Sequence, residues 1–196
     1  MKGQKMKIHY KGKFNGDTDS LILREHKKNA VKFKEFDNPK KLGIVMNIVG
    51  LIMAVPLFII LFLRGGKISL IGLLLSLISL IPHEFLHAIC FKEDAYIYTN
   101  LKDGMLFVVG PETMTKGRFI FMSLLPNIVF AFIPFTVFLI FPKLTVLGTF
   151  GAISLISGVG DYYNVVNALR QMPRGARTYL YGFNSYWYMP QNEEDL

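Results

Sequence analysis

Two histidines and a glutamate lie close together in the sequence at a spacing that suits a metal ion. The segment His83-Glu84-Phe85-Leu86-His87 places the histidines at positions i and i+4, with the glutamate directly after the first histidine. On a helix, residues four apart lie on the same face, so both imidazoles can reach one ion. The glutamate can then accept a proton from a water molecule on that ion. The pattern therefore predicts zinc ligands at His83 and His87 and a catalytic base at Glu84.

A catalytic zinc ion usually has three protein ligands, so we expect a third donor elsewhere in the chain. An extended HExxHxxGxxH motif would need glycine at position 90 and histidine at position 93, but the chain has Cys90 and Glu93 there. Asp161 is the only acidic residue besides Glu84 that lies inside a long apolar segment, and we expect it to be the third ligand. Glu112 is the rival ligand, because a glutamate well downstream of the motif completes some sites of this kind. Its surroundings, Gly-Pro-Glu-Thr, are typical of a loop.

A purely structural explanation would make these residues two core histidines and incidental acids. Their position argues against that explanation, because Glu84 and Asp161 both lie in segments that are otherwise apolar. A charged side chain near the bilayer centre costs about 2.5–3.5 kcal/mol on insertion scales, and such residues usually have a function. The location therefore favours a metal site.

Four apolar segments are long enough to cross a bilayer, which takes about 20 residues of helix. Hydrophobic residues make up 52% of the 196-residue chain, which is high for a soluble domain. The predicted spans are residues 42–63, 68–91, 119–141 and 144–169. Two β-prone runs predict a hairpin at residues 94–110. We expect an all-α membrane protein with four transmembrane helices, this small β-hairpin between the second and third, and a short N-terminal segment that is β or irregular.

The basic residues predict how the chain sits in a membrane. Twelve of the 22 Lys and Arg residues lie between Met1 and Lys41, a placement that suits an anionic membrane surface rather than nucleic acid. We therefore expect a multi-pass protein of the cell membrane with both termini in the cytoplasm. Its parts would be a basic cytoplasmic segment at 1–41, a four-helix metalloprotease core at 42–169 and an aromatic cytoplasmic tail at 170–196.

The predicted spans place Asp161 at the depth of the histidines. The second and fourth spans run in the same direction, and His83 and Asp161 each lie eight residues before the end of their span. At about 1.5 Å per residue, both are about 12 Å from the cytoplasmic end. Gly151, Ser154 and Gly158 form a stripe of small residues on the helix face that leads to Asp161, which would let another helix approach closely. We therefore expect this stripe to bring the carboxylate into a helix contact.

The chain resembles the putative zincin peptidase family, a group of membrane proteins, and is more distantly similar to the site-2 protease class of intramembrane metalloproteases. The resemblance rests on the motif and its flanks, on the predicted hairpin and on segments of the third span, the fourth span and the tail. These segments are Pro82-His83-Glu84-Phe85-Leu86-His87-Ala88, Leu125-Pro126-Asn127, Gly160-Asp161-Tyr162-Tyr163-Asn164 and Gly182-Phe183-Asn184-Ser185-Tyr186-Trp187. It implies that His83, His87 and Asp161 bind Zn2+. The flanking residues Gly160 and Tyr162 depart from the Asn-Pro-Asp-Gly motif of site-2 proteases, in which the asparagine often lies near the oxyanion. Asn164 and Asn127 are the candidates here for binding the oxyanion or positioning the substrate. Alternatively, each of them only forms a hydrogen bond between helices.

The expected reaction is hydrolysis of a peptide bond by zinc-activated water, with a membrane protein segment as substrate. The predicted hairpin at 94–110 could bind an extended substrate by strand addition, or it could be a simple connector. One alternative is a zincin-like scaffold or regulator that binds metal or a partner without cleaving it. Another alternative is a transporter or haem-binding bundle, but that would need polar residues in several spans, and those are sparse.

Overall fold

A computed structural model of the chain describes residues 6–15, 17, 20–22, 24–27, 29–36, 39–100, 105–182 and 184–191. The chain divides into two compact units. The first comprises residues 1–35, 84–122 and 165–196, and the second comprises residues 36–83 and 123–164. The boundary between them falls within the HExxH motif, after His83.

Helices dominate the described chain. They are α1 (Pro39–Leu63), α2 (Leu70–Ile78), α3 (Leu80–Ala88), α4 (Lys116–Asn127), α5 (Ile133–Ile140), α6 (Thr145–Ser157) and α7 (Val159–Gln171), and a π-helical segment, Ile128–Phe132, joins α4 to α5. Among the described residues, three helical stretches are long and apolar enough to cross a membrane, namely Lys41–Leu63, Leu70–Ala88 and Lys116–Ile140. Large apolar side chains point outward from them, such as Leu51 at 70% exposure and Ile81 at 72%. A soluble protein rarely exposes so much apolar surface, so these stretches are consistent with a membrane protein.

The segment predicted as a fourth span, residues 144–169, consists of two helices. α6 ends at Ser157, Gly158 has φ −74° and ψ 5°, and α7 begins at Val159. With 13 residues, α6 alone is shorter than the hydrocarbon core requires. The count of four spans therefore stays a prediction.

Apolar helix faces form the core of the second unit. Its buried residues come from α1, α6 and the α4–α5 stretch, and they are Leu61, Ala131, Phe135, Phe138, Ala152 and Leu155. A Cβ on Gly151 would lie 2.5 Å from the backbone nitrogen of Phe135. Only glycine therefore fits at this position of α6, where the helix meets α5 at close range.

Two β-sheets form part of the first unit. One has the strand order β1 (Ile8–Lys13), β3 (Ala95–Asn100), β4 (Met105–Val109), with β1 parallel and β4 antiparallel to β3. The other has the order β2 (Val31–Lys32), β7 (Asn184–Tyr188), β6 (Arg177–Tyr181), β5 (Met114–Thr115). The pairing of β3 with β4 lies within the predicted hairpin at 94–110, and its connection at 101–104 lies outside the described residues.

The expectation of an all-α protein with a small hairpin and a short N-terminal segment that is β or irregular was too narrow, because the tail also forms strands. The N-terminal segment contributes β1 and β2, and the tail at 170–196 folds into the antiparallel pair β6 and β7. The two N-terminal strands are stabilised by partners far away in the sequence: Ile8 pairs with Ala95, and Val31 pairs with Trp187. Phe33, near β2, is 2% exposed in a cluster with Ala168, Met172 and Ala176. Long-range pairing of this kind leaves only a weak local signal in the sequence.

Candidate metal centre

The HExxH motif lies on α3, as its spacing predicts. A break at Ser79 separates α2 from α3, and the His83 N–H donates to the Ser79 carbonyl at 2.9 Å in the first turn of α3. The ligand atoms of His83, Glu84 and His87 all lie within 4.8 Å of one another. Two imidazoles and a carboxylate at this separation can hold one metal ion, or two can hold it while the third handles protons.

The ring of His87 is oriented by a backbone carbonyl. Its Nδ1 lies 2.9 Å from the carbonyl oxygen of Met122, and the side chain is buried. A carbonyl oxygen can only accept, so Nδ1 carries the proton and Nε2 presents its lone pair. This is the usual arrangement of a metal-ligating histidine, in which the second ring nitrogen donates to a carbonyl or carboxylate.

Asp161 contacts the first histidine directly. Its Oδ2 lies 3.1 Å from His83 Nε2 and accepts a hydrogen bond of 2.6 Å from Asn127 Nδ2. Asn127 is 1% exposed and also donates to the Ser123 carbonyl at 3.2 Å. These bonds hold the Asp161 carboxylate against the His83 imidazole.

The separation of His83 and Asp161 suits a shared zinc ion. Two ligands held about 2.0–2.2 Å from a tetrahedral ion stand about 3.4 Å apart, close to the 3.1 Å seen between Nε2 and Oδ2. The two side chains are only partly buried, at 20% and 14% exposure. Imidazole and carboxylate donors are also the types that zinc takes in catalytic sites. The residues present therefore fit a zinc ion.

Gly158 and the N-terminal end of α7 together position the Asp161 carboxylate. The residue lies in the first turn of α7, where the helix dipole favours a negative charge. A Cβ on Gly158 would overlap the Oδ1 atom of Asn127 and would lie 2.9 Å from the Tyr162 hydroxyl. Glycine at 158 therefore lets Asn127 approach the chain just before α7 and reach the Asp161 carboxylate. Asn164 lies one turn later on α7, half-buried, and takes no part in these hydrogen bonds.

Glu112, the rival third ligand, forms hydrogen bonds with residues outside the proposed metal site. Its Oε2 accepts hydrogen bonds from the backbone N–H groups of Lys92 at 2.6 Å and Glu93 at 3.1 Å, and its Oε1 pairs with Arg118. Burial raises the pKa of Glu112, but the Arg118 and backbone hydrogen bonds outweigh it and hold the pKa below the ordinary value. Arg118 also donates to the Cys90 carbonyl, at 2.6 Å from Nη2. Glu112 thus holds the chain that follows α3, which is a structural task.

Two basic residues that the sequence reasoning missed bind the ends of the helices that carry the predicted ligands. Arg118 binds the Cys90 carbonyl just after α3, while Lys116 Nζ donates to the carbonyls of Leu169 at 3.1 Å and Met172 at 2.7 Å, at the end of α7. Cations suit helix C-termini, where unpaired carbonyls and the helix dipole concentrate negative charge. The signal in the sequence was the pair of basic residues just before the third apolar segment.

Comparison with known proteins points to one family. A family model described as putative zincin peptidase matches residues 76–177, just over half of the chain. The matched region contains the HExxH motif, Glu112, Asn127 and Asp161. No curated protein matches the chain, and no solved structure matches it.

Proposed function

Because the chain belongs to the putative zincin peptidase family, we propose that it is a membrane-embedded zinc metalloprotease that hydrolyses peptide bonds of membrane or membrane-associated proteins. The observation that carries the proposal is the cluster of His83, Glu84 and His87 on α3. The 3.1 Å contact between His83 and Asp161 supports a third ligand for the same ion. The three apolar helical stretches support a membrane location.

Each residue of the proposed site has a distinct role. His83 and Asp161 bind zinc through Nε2 and a carboxylate oxygen, and His87 binds it through Nε2 because Nδ1 donates to Met122. The ion, when bound, polarises the scissile carbonyl and lowers the pKa of the attacking water. Glu84 accepts the proton of that water and passes it to the leaving amine.

The two asparagines take different tasks in this proposal. Asn127 donates to Asp161 and Ser123, so it positions the third ligand. Asn164 is left as the candidate donor for the oxyanion. The combination of two histidines with an aspartate from a distant helix is similar to the site-2 protease class.

The substrate must present an extended backbone, because a helix hides its amides in its own hydrogen bonds. In the described sheet, β4 is an edge strand, paired with β3 on one side. An extended segment can add to such an edge through main-chain hydrogen bonds. We propose that α6 and α7 together make a fourth crossing and that both termini face the cytoplasm, which would put the end of α3 near the inner membrane surface.

A comparison of the cleavage products that wild-type and Glu84→Gln protein generate in membranes tests the activity. Glutamine keeps the shape of the side chain but cannot accept the proton, so the variant should keep zinc and lose all cleavage. Membranes containing wild-type protein, Glu84→Gln or Glu93→Gln would be compared by quantitative mass spectrometry of membrane protein termini. Glu93 is an exposed acid and serves as the matched control. Termini that appear with wild type and Glu93→Gln but not with Glu84→Gln support the proposal. Zinc binding without any such termini would instead identify a zincin-like scaffold or regulator.

A further inference from the structure

The hydrogen bond that orients His87 ends on a helix carbonyl that would normally accept from an N–H of the same helix. Inside an α-helix, the carbonyl of residue i accepts from the N–H of residue i+4. Met122 lies within α4, so its carbonyl would ordinarily be taken by residue 126. In this chain it accepts from His87 Nδ1 at 2.9 Å.

The residue at position 126 explains why that carbonyl is available. Pro126 lies inside α4, is buried, and has no N–H to donate. A proline ring also collides with the carbonyl four residues earlier and pushes it outward from the helix. The four-residue ladder is also interrupted downstream, where Ile128–Phe132 is π-helical and the Ile133 N–H donates to the Ile128 carbonyl. Pro126 thus removes the helical donor, and the Met122 carbonyl accepts from His87 instead.

We propose that Pro126 is a positioning residue for the metal centre. By freeing the Met122 carbonyl, it gives His87 an acceptor that fixes the proton on Nδ1, directs Nε2 toward the ion and holds the ring in place. This inference rests on the proposed zinc site. Pro126 itself touches neither the ion nor the substrate.

If Pro126 only bent its helix, its replacement would change the stability of the fold but not the metal site. Replacing Pro126 by alanine restores a helical hydrogen bond and a good helix former, and this gain outweighs the loss of two buried ring carbons, so the folded protein should become more stable or stay unchanged. In our proposal the same substitution harms the metal site, because the new N–H at 126 draws the Met122 carbonyl back into the helix. Pro126→Ala should therefore weaken zinc binding without lowering the stability of the fold.

The test compares Pro126→Ala with Pro56→Ala in the full chain purified in detergent. Pro56 is also inside a helix, α1, but is exposed, so it controls for the loss of a helical proline. Zinc affinity would be measured by competition with a chelator, ligand geometry by the visible absorption of bound Co2+, and stability by thermal unfolding without metal. We expect Pro126→Ala to bind zinc about 10- to 100-fold more weakly, the usual effect of losing a partner of a metal-ligating histidine. Its Co2+ spectrum should change and its thermal stability should not fall, while Pro56→Ala should bind zinc as wild type does.

Unchanged zinc affinity and Co2+ spectrum in Pro126→Ala would overturn the inference, as would a loss of affinity matched by a loss of thermal stability. If Pro126→Ala does not fold, an ester in place of the amide between Met122 and Ser123 weakens the same acceptor. That variant should then show the weaker zinc binding, and wild-type affinity would overturn the inference. Failure of the wild-type chain to bind zinc would contradict the proposed function itself, which keeps the two failures distinguishable.

Discussion

Replacing Glu112 by glutamine separates a structural role from a metal-binding role for this residue. The side chain is 6% exposed, and its two oxygens receive the Arg118 guanidinium and the N–H groups of Lys92 and Glu93. A glutamine oxygen can still accept from the two backbone groups. Its amide nitrogen would then face Arg118, donor against donor, so the buried charge pair is lost.

The expected loss of stability in Glu112→Gln depends on the hydrogen bonds that Arg118 retains. Breaking a fully buried pair by removing one partner costs about 3–5 kcal/mol. Arg118 is 21% exposed and still donates to the Cys90 carbonyl, so we expect a smaller loss, about 2 kcal/mol. For a chain of 150–250 residues, 1 kcal/mol lowers Tm by about 2–4 °C, so Tm should fall by about 4–8 °C.

The Tm difference between wild type and Glu112→Gln should depend on pH in a defined direction. The pKa of Glu112 is held below its ordinary value of 4.5 in the folded protein. The carboxylate therefore contributes its full stability above the unfolded pKa, and the contribution is lost as the pH falls through the folded pKa. The Tm difference between wild type and Glu112→Gln should be complete at pH 7 and should shrink below about pH 4.5.

Thermal unfolding in detergent, followed by Trp187 fluorescence, and metal analysis of the same samples would check this prediction. Glu112→Gln should be less stable and should keep as much zinc as wild type, while the exposed control Glu93→Gln should change neither property. If Glu112→Gln lost its zinc while keeping its thermal stability, Glu112 would be a metal ligand and our assignment of the third ligand would be wrong.

The surroundings of Asp161 give two further predictions. Asn127→Leu removes a 2.6 Å hydrogen bond to the carboxylate, so chelator competition should show zinc binding about 10- to 100-fold weaker, whereas Asn164→Ala should bind zinc as wild type does. Gly158→Ala places a methyl group on Asn127 and should lower stability by about 1–3 kcal/mol in thermal unfolding and weaken zinc binding as well. Gly160→Ala has open space around its new methyl group and is the control; equal effects in both glycine variants would contradict this account of Gly158.

The parts of the site that depend on helical periodicity could be predicted from the sequence. His83 and His87 lie together because four residues make about one turn of α3. Asp161 was chosen because it is a carboxylate in an apolar segment at the depth of His83, and the structure places it 3.1 Å from that histidine. Its role as a zinc ligand stays a prediction, as do the roles of Glu84 and His87.

Features that depend on tertiary contacts could not be predicted in the same way. Pro126 was visible in the sequence, but the partner that uses the freed Met122 carbonyl is His87, 35 residues away. The need for glycine at position 158 likewise depends on Asn127, which lies in a different helix. The short strand β2 lies in an N-terminal segment predicted as β or irregular, but its pairing with β7, more than 150 residues later, could not be predicted from a local pattern.

Zinc content tests the central claim most directly, namely that His83, His87 and Asp161 hold one ion. Metal analysis of detergent-purified wild-type protein and of Asp161→Asn would be done side by side, with folding checked by thermal unfolding. We predict about one zinc ion per wild-type chain and little or none in folded Asp161→Asn, because an amide is a much poorer zinc ligand than a carboxylate. Full zinc occupancy in Asp161→Asn, or none in the wild-type chain, would contradict the account.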